Sequence, residues 1–268
     1  MDFGTAIGLL SGMGIIAVGV LRGGGDLYWF FNLNSIIIVF GGTLAATLVN
    51  YPLKHVLGLF KVFKNVFTGD NYDYLTTINE LVEKGEKARK NGVLSLEADL
   101  PSIEDHFLKS GIELAINERD PGRLRNYLNL EMNNIRRRHN MGQEIFFYMG
   151  AYAPAFGMLG TVMGLIVMMN NFSGAGGEVD SMNFDVAQKF AELLGGMGLA
   201  LITTFYGVLL ANLVFLPIGG KLTRKSQEEL MLKNIVVEGI ISIHGKEHPI
   251  LMREKLMTFV PRSVREDE

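Results

Sequence analysis

Four stretches of this chain contain no Asp, Glu, Lys or Arg: residues 3–21, 27–53, 145–177 and 193–220. A hydrocarbon core about 30 Å thick takes roughly 20 apolar residues in helical form. Each stretch reaches or approaches that length. A charged content of 20% and a mean hydropathy of +0.23 therefore conceal a sharply segregated chain. The pattern excludes an ordinary soluble enzyme, a disordered chain and a transmembrane barrel. A net charge of −3 gives no reason to expect nucleic-acid binding. The absence of cysteine excludes disulfide frameworks, iron–sulfur clusters and thiolate catalysis. The fold expected is all-α: a polytopic membrane protein with four transmembrane helices and a helical cytoplasmic domain.

Lys and Arg set the orientation. Residues 52–142 hold 14 of the 25, and residues 221–268 hold 9. The loops at 22–32 and 171–189 hold one each, Arg22 and Lys189. Positive residues stay on the cytoplasmic side, so both termini and the middle region are expected inside and the two short loops outside. The outer loop 171–188 carries Glu178, Asp180 and Asp185 instead. Tyr28, Trp29, Phe30 and Phe31 suit an aromatic belt. Met1-Asp2-Phe3 lacks the basic start of a secretory signal, so the first stretch is expected to be a retained helix. Four regions result: 1–53, the first two spans; 54–142, a cytoplasmic helical domain; 143–220, the last two spans; 221–268, a cytoplasmic helix and tail.

The middle region has helical periodicity. Leu75, Ile78, Leu81 and Val82 mark one apolar stripe, ended by Asn91-Gly92. A helix restarts at Val93, and Pro101 interrupts it. Ile103, Phe107, Gly111 and Leu114 mark a further stripe. Asp120-Pro121 reads as a helix start, from which one helix is expected to run into the third span. The tail is helical over about 222–245 and stops near His248-Pro249.

Small residues recur every three or four positions within the spans: Gly4, Gly8 and Gly12; Gly150, Ala153, Gly157, Gly160 and Gly164; Gly196, Ala200, Thr203, Gly207 and Ala211. Such stripes allow helices to approach closely in lipid. The spacing is equally consistent with packing inside one chain and packing against other chains around an axis.

Membrane proteins that move ions usually carry an ionisable group at mid-bilayer, and these stretches have none. Their polar side chains include Thr43, Thr47, Thr161, Thr203, Thr204, Tyr206 and Asn212. Hydroxyl oxygens can coordinate sodium but do not balance its charge. Either the chain conducts nothing or a partner supplies a carboxylate. Alternatively, buried threonines bond to a carbonyl one turn back. Pro154 lies inside the third span and Pro217 near the cytoplasmic end of the fourth, where each would kink its helix. Gly219-Gly220-Lys221-Leu222 departs from a phosphate loop, which needs Ser or Thr after the lysine. His244 and His248 lack a third metal ligand nearby.

The segments Ala153-Pro154-Ala155-Phe156-Gly157-Met158-Leu159-Gly160-Thr161, Leu201-Ile202-Thr203-Thr204-Phe205-Tyr206-Gly207 and Asn212-Leu213-Val214-Phe215-Leu216-Pro217-Ile218 carry a resemblance. With Phe40-Gly41-Gly42-Thr43 and the order of the spans, the chain resembles the MotA/PomA family of flagellar motor stator proteins, over nearly its whole length. The resemblance implies an ion-conducting stator rather than an enzyme. It implies a homo-pentamer around a single-span MotB/PomB-type partner whose aspartate binds the ion. It implies residence in the bacterial cytoplasmic membrane and contact with a FliG-type rotor switch protein. It assigns conformational coupling to Pro154 and Pro217, and the rotor interface to Arg89, Lys90 and Glu97, with Asp99 as a further candidate. Thr161 and Thr204, with Thr203 third, match the sodium-type pattern of the ion pathway. Adjacent Thr203 and Thr204 point about 100° apart, so only one is expected to face the ion. Sodium is the expected ion and the proton the alternative; no resident cofactor is expected. An ExbB/TolQ-type energiser of envelope transport is the rival, disfavoured by four clear spans. A solute transporter would show paired repeats, and a non-conducting scaffold would show no partner-dependent flux.

Overall fold

The computed structural model describes residues 3–68, 72–174 and 186–260, and every regular element among them is helical. Residues 175–185, with Glu178, Asp180 and Asp185 of the expected outer loop, lie outside the described residues. The chain divides into two compact units, Met1–Gly69 with Met141–Leu222, and Asp70–Asn140 with Thr223–Glu268.

The first unit opens with α1 (Phe3–Arg22). A 3₁₀ turn, Leu27–Phe30, comes next, its Tyr28 N–H capped by the Asp26 carboxylate at 3.0 Å. Asn32 then accepts from the Ser35 N–H at 2.9 Å and starts α2 (Leu33–Ile36), which continues through a π-helical turn, Ile37–Gly41, into α3 (Gly42–Asn50). Tyr51 is extended, and α4 (Leu53–Val66) begins just beyond it. The remainder comes from α7 (Pro121–Gly174), α8 (Val186–Leu209), a second π turn, Leu210–Phe215, and the start of α9 (Leu216–His244). Among the described residues four helical segments are long and apolar enough to cross a membrane: Gly4–Arg22, Leu27–Asn50, Pro121–Asn170 and Leu193–His244. Their uncharged parts are the four stretches found in the sequence. Thr43 donates to the Val39 carbonyl at 2.6 Å and Thr47 to that of Thr43 at 2.7 Å. Those two buried hydroxyls are satisfied within their own helix, as packing threonines should be.

The second unit is built on α5 (Tyr74–Asn91), capped by Asp73, and α6 (His106–Asn117), capped by Asp105. The first half of α7, the second half of α9 and α10 (Pro249–Met257) complete it. Ile78, Leu81, Leu108, Ile112, Leu128 and Ile240 are fully buried at its centre. Arg125 on α7 and Lys255 on α10 both reach Glu238 on α9, the lysine at 2.9 Å. The Arg125 guanidinium, helped by Lys255, holds the Glu238 carboxyl down at about 2.

Two expectations are corrected. The restart at Val93 is a 3₁₀ helix, Val93–Ser102, which runs through Pro101. Gly92 turns the chain at φ +85°, and Pro101 lacks the N–H that an α-helix would need there. The tail does not end its helical structure near His248-Pro249. His248 caps a new helix by accepting from the Ile250 N–H at 3.3 Å, with Pro249 in its first turn. α4 falls in the first compact unit and residues 223–268 in the second. Val56, Leu59 and Val66 of α4 bury against Ile145, Phe146 and Met149 in the first unit. Met252, Leu256 and Val260 join the core of the second unit. The single helix expected from Pro121 into the third span is present as α7.

Candidate functional site

The site is made by a seam of small residues between α7 and α8. A Cβ added to Gly157 would stand 3.0 Å from the Thr203 carbonyl oxygen and 3.2 Å from the Gly207 Cα. One added to Gly207 would stand 2.6 Å from the Ala153 carbonyl. One added to Gly164 would meet the Ala200 Cβ at 3.0 Å. The seam of these two helices therefore packs inside one chain. The stripe on α1 differs: Gly8 has nothing within 4 Å, and Gly12 meets only the Leu213 side chain.

The close approach brings together all three threonines singled out for the ion pathway. The Thr161 hydroxyl lies 3.1 Å from the Gly157 carbonyl, 3.0 Å from the Ala200 carbonyl and 3.4 Å from the Thr203 hydroxyl. It also hydrogen-bonds the Thr204 hydroxyl. Thr203 is buried and donates to the Ala200 carbonyl at 2.6 Å. Thr204 reaches the Gly157 carbonyl at 3.4 Å and lines a groove with Ile16, Val208 and Asn212. Thr203 is buried, whereas Thr204 faces the groove. Their side chains diverge, but Thr161 enters between them across the glycine seam. Three hydroxyls and two carbonyls form a compact oxygen cluster with no carboxylate in the uncharged stretches. Such a set can replace part of a cation's hydration shell but cannot neutralise it.

Pro154 sits on α7 one turn before Gly157 and packs at the seam, where its Cα lies 3.1 Å from a Cβ added to Gly207. Pro217 is not brought to the threonines. It is exposed and lies just beyond the π turn Leu210–Phe215. Arg89 and Lys90 lie in the last turn of α5 in the second unit, and Glu97 on the next 3₁₀ helix, all exposed. Lys90 approaches Glu86 at 3.7 Å, while Arg89 and Glu97 make no ion pair among the described residues. Asp99 is different. Both its oxygens accept from Lys87, at 2.6 and 2.7 Å, which pins the 3₁₀ helix to α5. Its carboxylate is spent on structure.

One contact was not anticipated. The Tyr206 hydroxyl donates to the Phe30 carbonyl and accepts from the Asn32 N–H at 3.3 Å. It fastens α8 to the chain where the second span begins. The available signal was a tyrosine within an apolar stretch, whose O–H needs a partner. Among the described residues no His, Asp and Glu cluster could hold a metal ion.

Residues 99–234 match the family model described as the MotA/TolQ/ExbB proton channel family. The chain is 34% identical over 260 residues to Motility protein A of Borreliella burgdorferi, covering 97% of this chain and 94% of that protein. It is also 34% identical over 264 residues to the uncharacterized YtxD protein of Bacillus subtilis, covering 97% and 91%. The solved structure of the flagellar MotAB stator complex from Bacillus subtilis contains a chain that matches with a TM-score of 0.84 at 27% identity, covering 98% and 97%. The family model describes a channel and the solved complex a motor stator, not an enzyme. The chain belongs to the MotA/TolQ/ExbB proton channel family, and within it to the MotA/PomA group.

Proposed function

We propose that this chain is the ring-forming subunit of a sodium-driven flagellar stator. A homo-pentamer of it surrounds a MotB/PomB-type single-span partner in the bacterial cytoplasmic membrane, with both termini in the cytoplasm. The partner contributes the aspartate, and Thr161, Thr204 and Thr203 contribute neutral oxygens to a partly dehydrated sodium ion. Pro154 and Pro217 transmit the ion's passage along their helices. Arg89, Lys90 and Glu97 engage a FliG-type rotor protein.

The observation that carries this reading is the oxygen cluster at the α7–α8 seam in a chain whose spans hold no charge. A site with solvating oxygens and no counter-charge calls for a carboxylate from elsewhere. The relative from Bacillus subtilis is solved as a MotAB complex, which supports a MotB-type source. A proton needs no shell of oxygens, whereas sodium does, which favours sodium.

The test is swimming speed against sodium concentration, at fixed pH and ionic strength. Cells lacking their own stators would express this chain with its single-span partner. Speed that rises and saturates with sodium is the expected result. Speed indifferent to sodium would overturn the choice of ion and return the threonines to packing. Absence of swimming, with both proteins inserted, would count against the stator role and favour envelope transport.

A further inference from the structure

Asn212 is the only amide side chain in the uncharged stretch 193–220. It stands in the π turn Leu210–Phe215, where hydrogen bonds reach back five residues rather than four, as the Leu216 N–H does to the Ala211 carbonyl. Such turns interrupt α-helices frequently at functional sites. The Asn212 side-chain N–H donates to the Val208 carbonyl at 2.9 Å, so the amide nitrogen is spent on its own helix. The amide oxygen, with two lone pairs, accepts no hydrogen bond among the described residues.

Satisfying the Val208 carbonyl needs only a donor. Thr43 and Thr47 serve carbonyls four residues back with a hydroxyl. What asparagine adds at 212 is a carbonyl oxygen, and the residue is exposed in the same groove as Thr204. Thr204 and Asn212 are the polar side chains of that groove, and Ile16, Phe205, Val208 and Leu213 are among its apolar walls. Eight residues separate the two polar groups, about 12 Å along a helix axis. A hard cation holds its oxygens at about 2.5 Å, so no single ion touches both. Pores conduct through successive sites, each favourable enough to enter and weak enough to leave.

We infer that Asn212 is a second cation station, which receives a partly hydrated sodium ion after it leaves the threonine cluster and before it reaches the cytoplasm. Asn212 has this role only if ions pass Thr161 and Thr204 as proposed above, with both termini inside. The threonines and the partner's carboxylate then set how tightly sodium is captured. Asn212, one neutral oxygen aided by water, lowers the barrier to its departure.

Asn212→Thr keeps a donor for the Val208 carbonyl and removes the carbonyl oxygen from the groove. The full-length chain and its single-span partner would be reconstituted in vesicles, and sodium flux followed against sodium concentration. The Thr variant is expected to lose about tenfold in maximal flux, the weight of one interaction with a charged group. Its half-saturating sodium should stay within about twofold of wild type and its melting temperature should not change. Asn212→Gln retains the amide oxygen and should keep most of the flux. Wild-type maximal flux in the Thr variant would overturn the station and leave the sodium reading standing. A raised half-saturating concentration at unchanged maximal flux would merge Asn212 with the threonine site and overturn it too. Flux lost together with thermal stability would make the residue structural, with the same consequence. Wild-type flux that is absent or indifferent to sodium would sink the sodium reading and the station with it, because an amide oxygen relays no proton. Should the Thr variant not insert, Asn212→Ser, whose hydroxyl can make the same bond, is read by the same criteria. The chain has no cysteine, so Asn212→Cys gives it a single thiol. A small cationic thiosulfonate applied from the cytoplasmic side is expected to add its mass to this chain, more slowly in saturating sodium. A thiol that stays unmodified would mean a face covered by lipid or protein and would overturn the proposal.

Discussion

Thr161 offers one proton to four oxygen atoms: the Gly157 and Ala200 carbonyls and the hydroxyls of Thr203 and Thr204. A hydroxyl also carries two lone pairs. Rotating its proton onto the Gly157 carbonyl, one turn back, frees both pairs for a cation without moving the helix. Valine has threonine's shape and no oxygen. Thr161→Val and Thr204→Val are each expected to raise the sodium concentration for half-maximal swimming roughly tenfold, from the loss of one interaction with a charged group worth about 1.5 kcal/mol. Thr161→Ser should keep the wild-type value. Thr203 is buried and already bonded to the Ala200 carbonyl, so Thr203→Ala should instead lower thermal stability by about 1 kcal/mol and change sodium dependence less. Equal sodium curves for all three variants would remove the threonines from the ion path. The resemblance singled out Thr161 and Thr204, with Thr203 third, but not the contacts among the three. A rotation of about 100° per residue describes a helix in isolation, and the decisive hydroxyl arrives from another helix. Asp99 shows the reverse. The resemblance offered it for the rotor interface, and the turn at Gly92 brings it to Lys87, twelve residues earlier.

The elements owe their contacts to small residues that differ greatly in how much they are needed. A methyl group at Gly207 would collide with backbone atoms of Ala153, Pro154 and Gly157, none of which can rotate away. Gly207→Ala is therefore expected to part α7 and α8, abolish motility and lower thermal stability in detergent by about 2 kcal/mol, within the range for overpacking. Gly8→Ala meets nothing and should leave stability within about 0.5 kcal/mol of wild type. Similar melting for both variants would show that the seam is not tight. The sequence spacing marked both glycines alike, because periodicity reports which face is small and not what lies opposite. Long spans were legible because charge exclusion over about twenty residues is a strong signal. α10 was not legible, since a proline after a histidine reads as a stop unless the histidine caps a new helix. The second unit has its own handle. Glu238 titrates at about 2 when folded, against an ordinary 4.5. A depressed carboxyl adds stability that is complete above the unfolded value and is lost as pH falls from about 4.5 toward 2. Allowing for screening at the partly exposed Arg125, the contribution is about 2 kcal/mol. Glu238→Gln should lower stability at pH 7 by that amount and flatten its decline below pH 5, as measured by circular dichroism. A decline as steep as wild type would place the acid-sensitive group elsewhere.

At the scale of the whole molecule, the oxygen cluster and the exposed charges belong to different units of the chain. Conduction and force transfer should therefore be separable by mutation. Arg89 and Glu97 have no ion-pair partner among the described residues, unlike Asp99, and Glu97 sits on a 3₁₀ segment that Lys87 and Asp99 hold in place. Exposed charges of opposite sign fix the orientation of docking more than its strength, so reversing both should misalign the rotor contact and leave the spans intact. Conduction, in turn, should fail without a partner carboxylate, since the uncharged stretches supply only neutral oxygens. The decisive comparison uses one pair of proteins with two readouts: ion flux in vesicles carrying the chain and its partner, and torque on tethered cells. Changing the partner's intramembrane carboxylate to Asn should abolish both. Arg89→Glu with Glu97→Arg should leave flux within about twofold of wild type and remove most of the torque, and complementary reversal on the rotor should restore it. Lys87→Gln, which releases Asp99 and with it the 3₁₀ segment, should cost torque without any charge change at Arg89 or Glu97. If the double reversal lowered flux while torque per ion held steady, Arg89 and Glu97 would act on the channel, and the rotor surface would have to be sought on another face of the second unit.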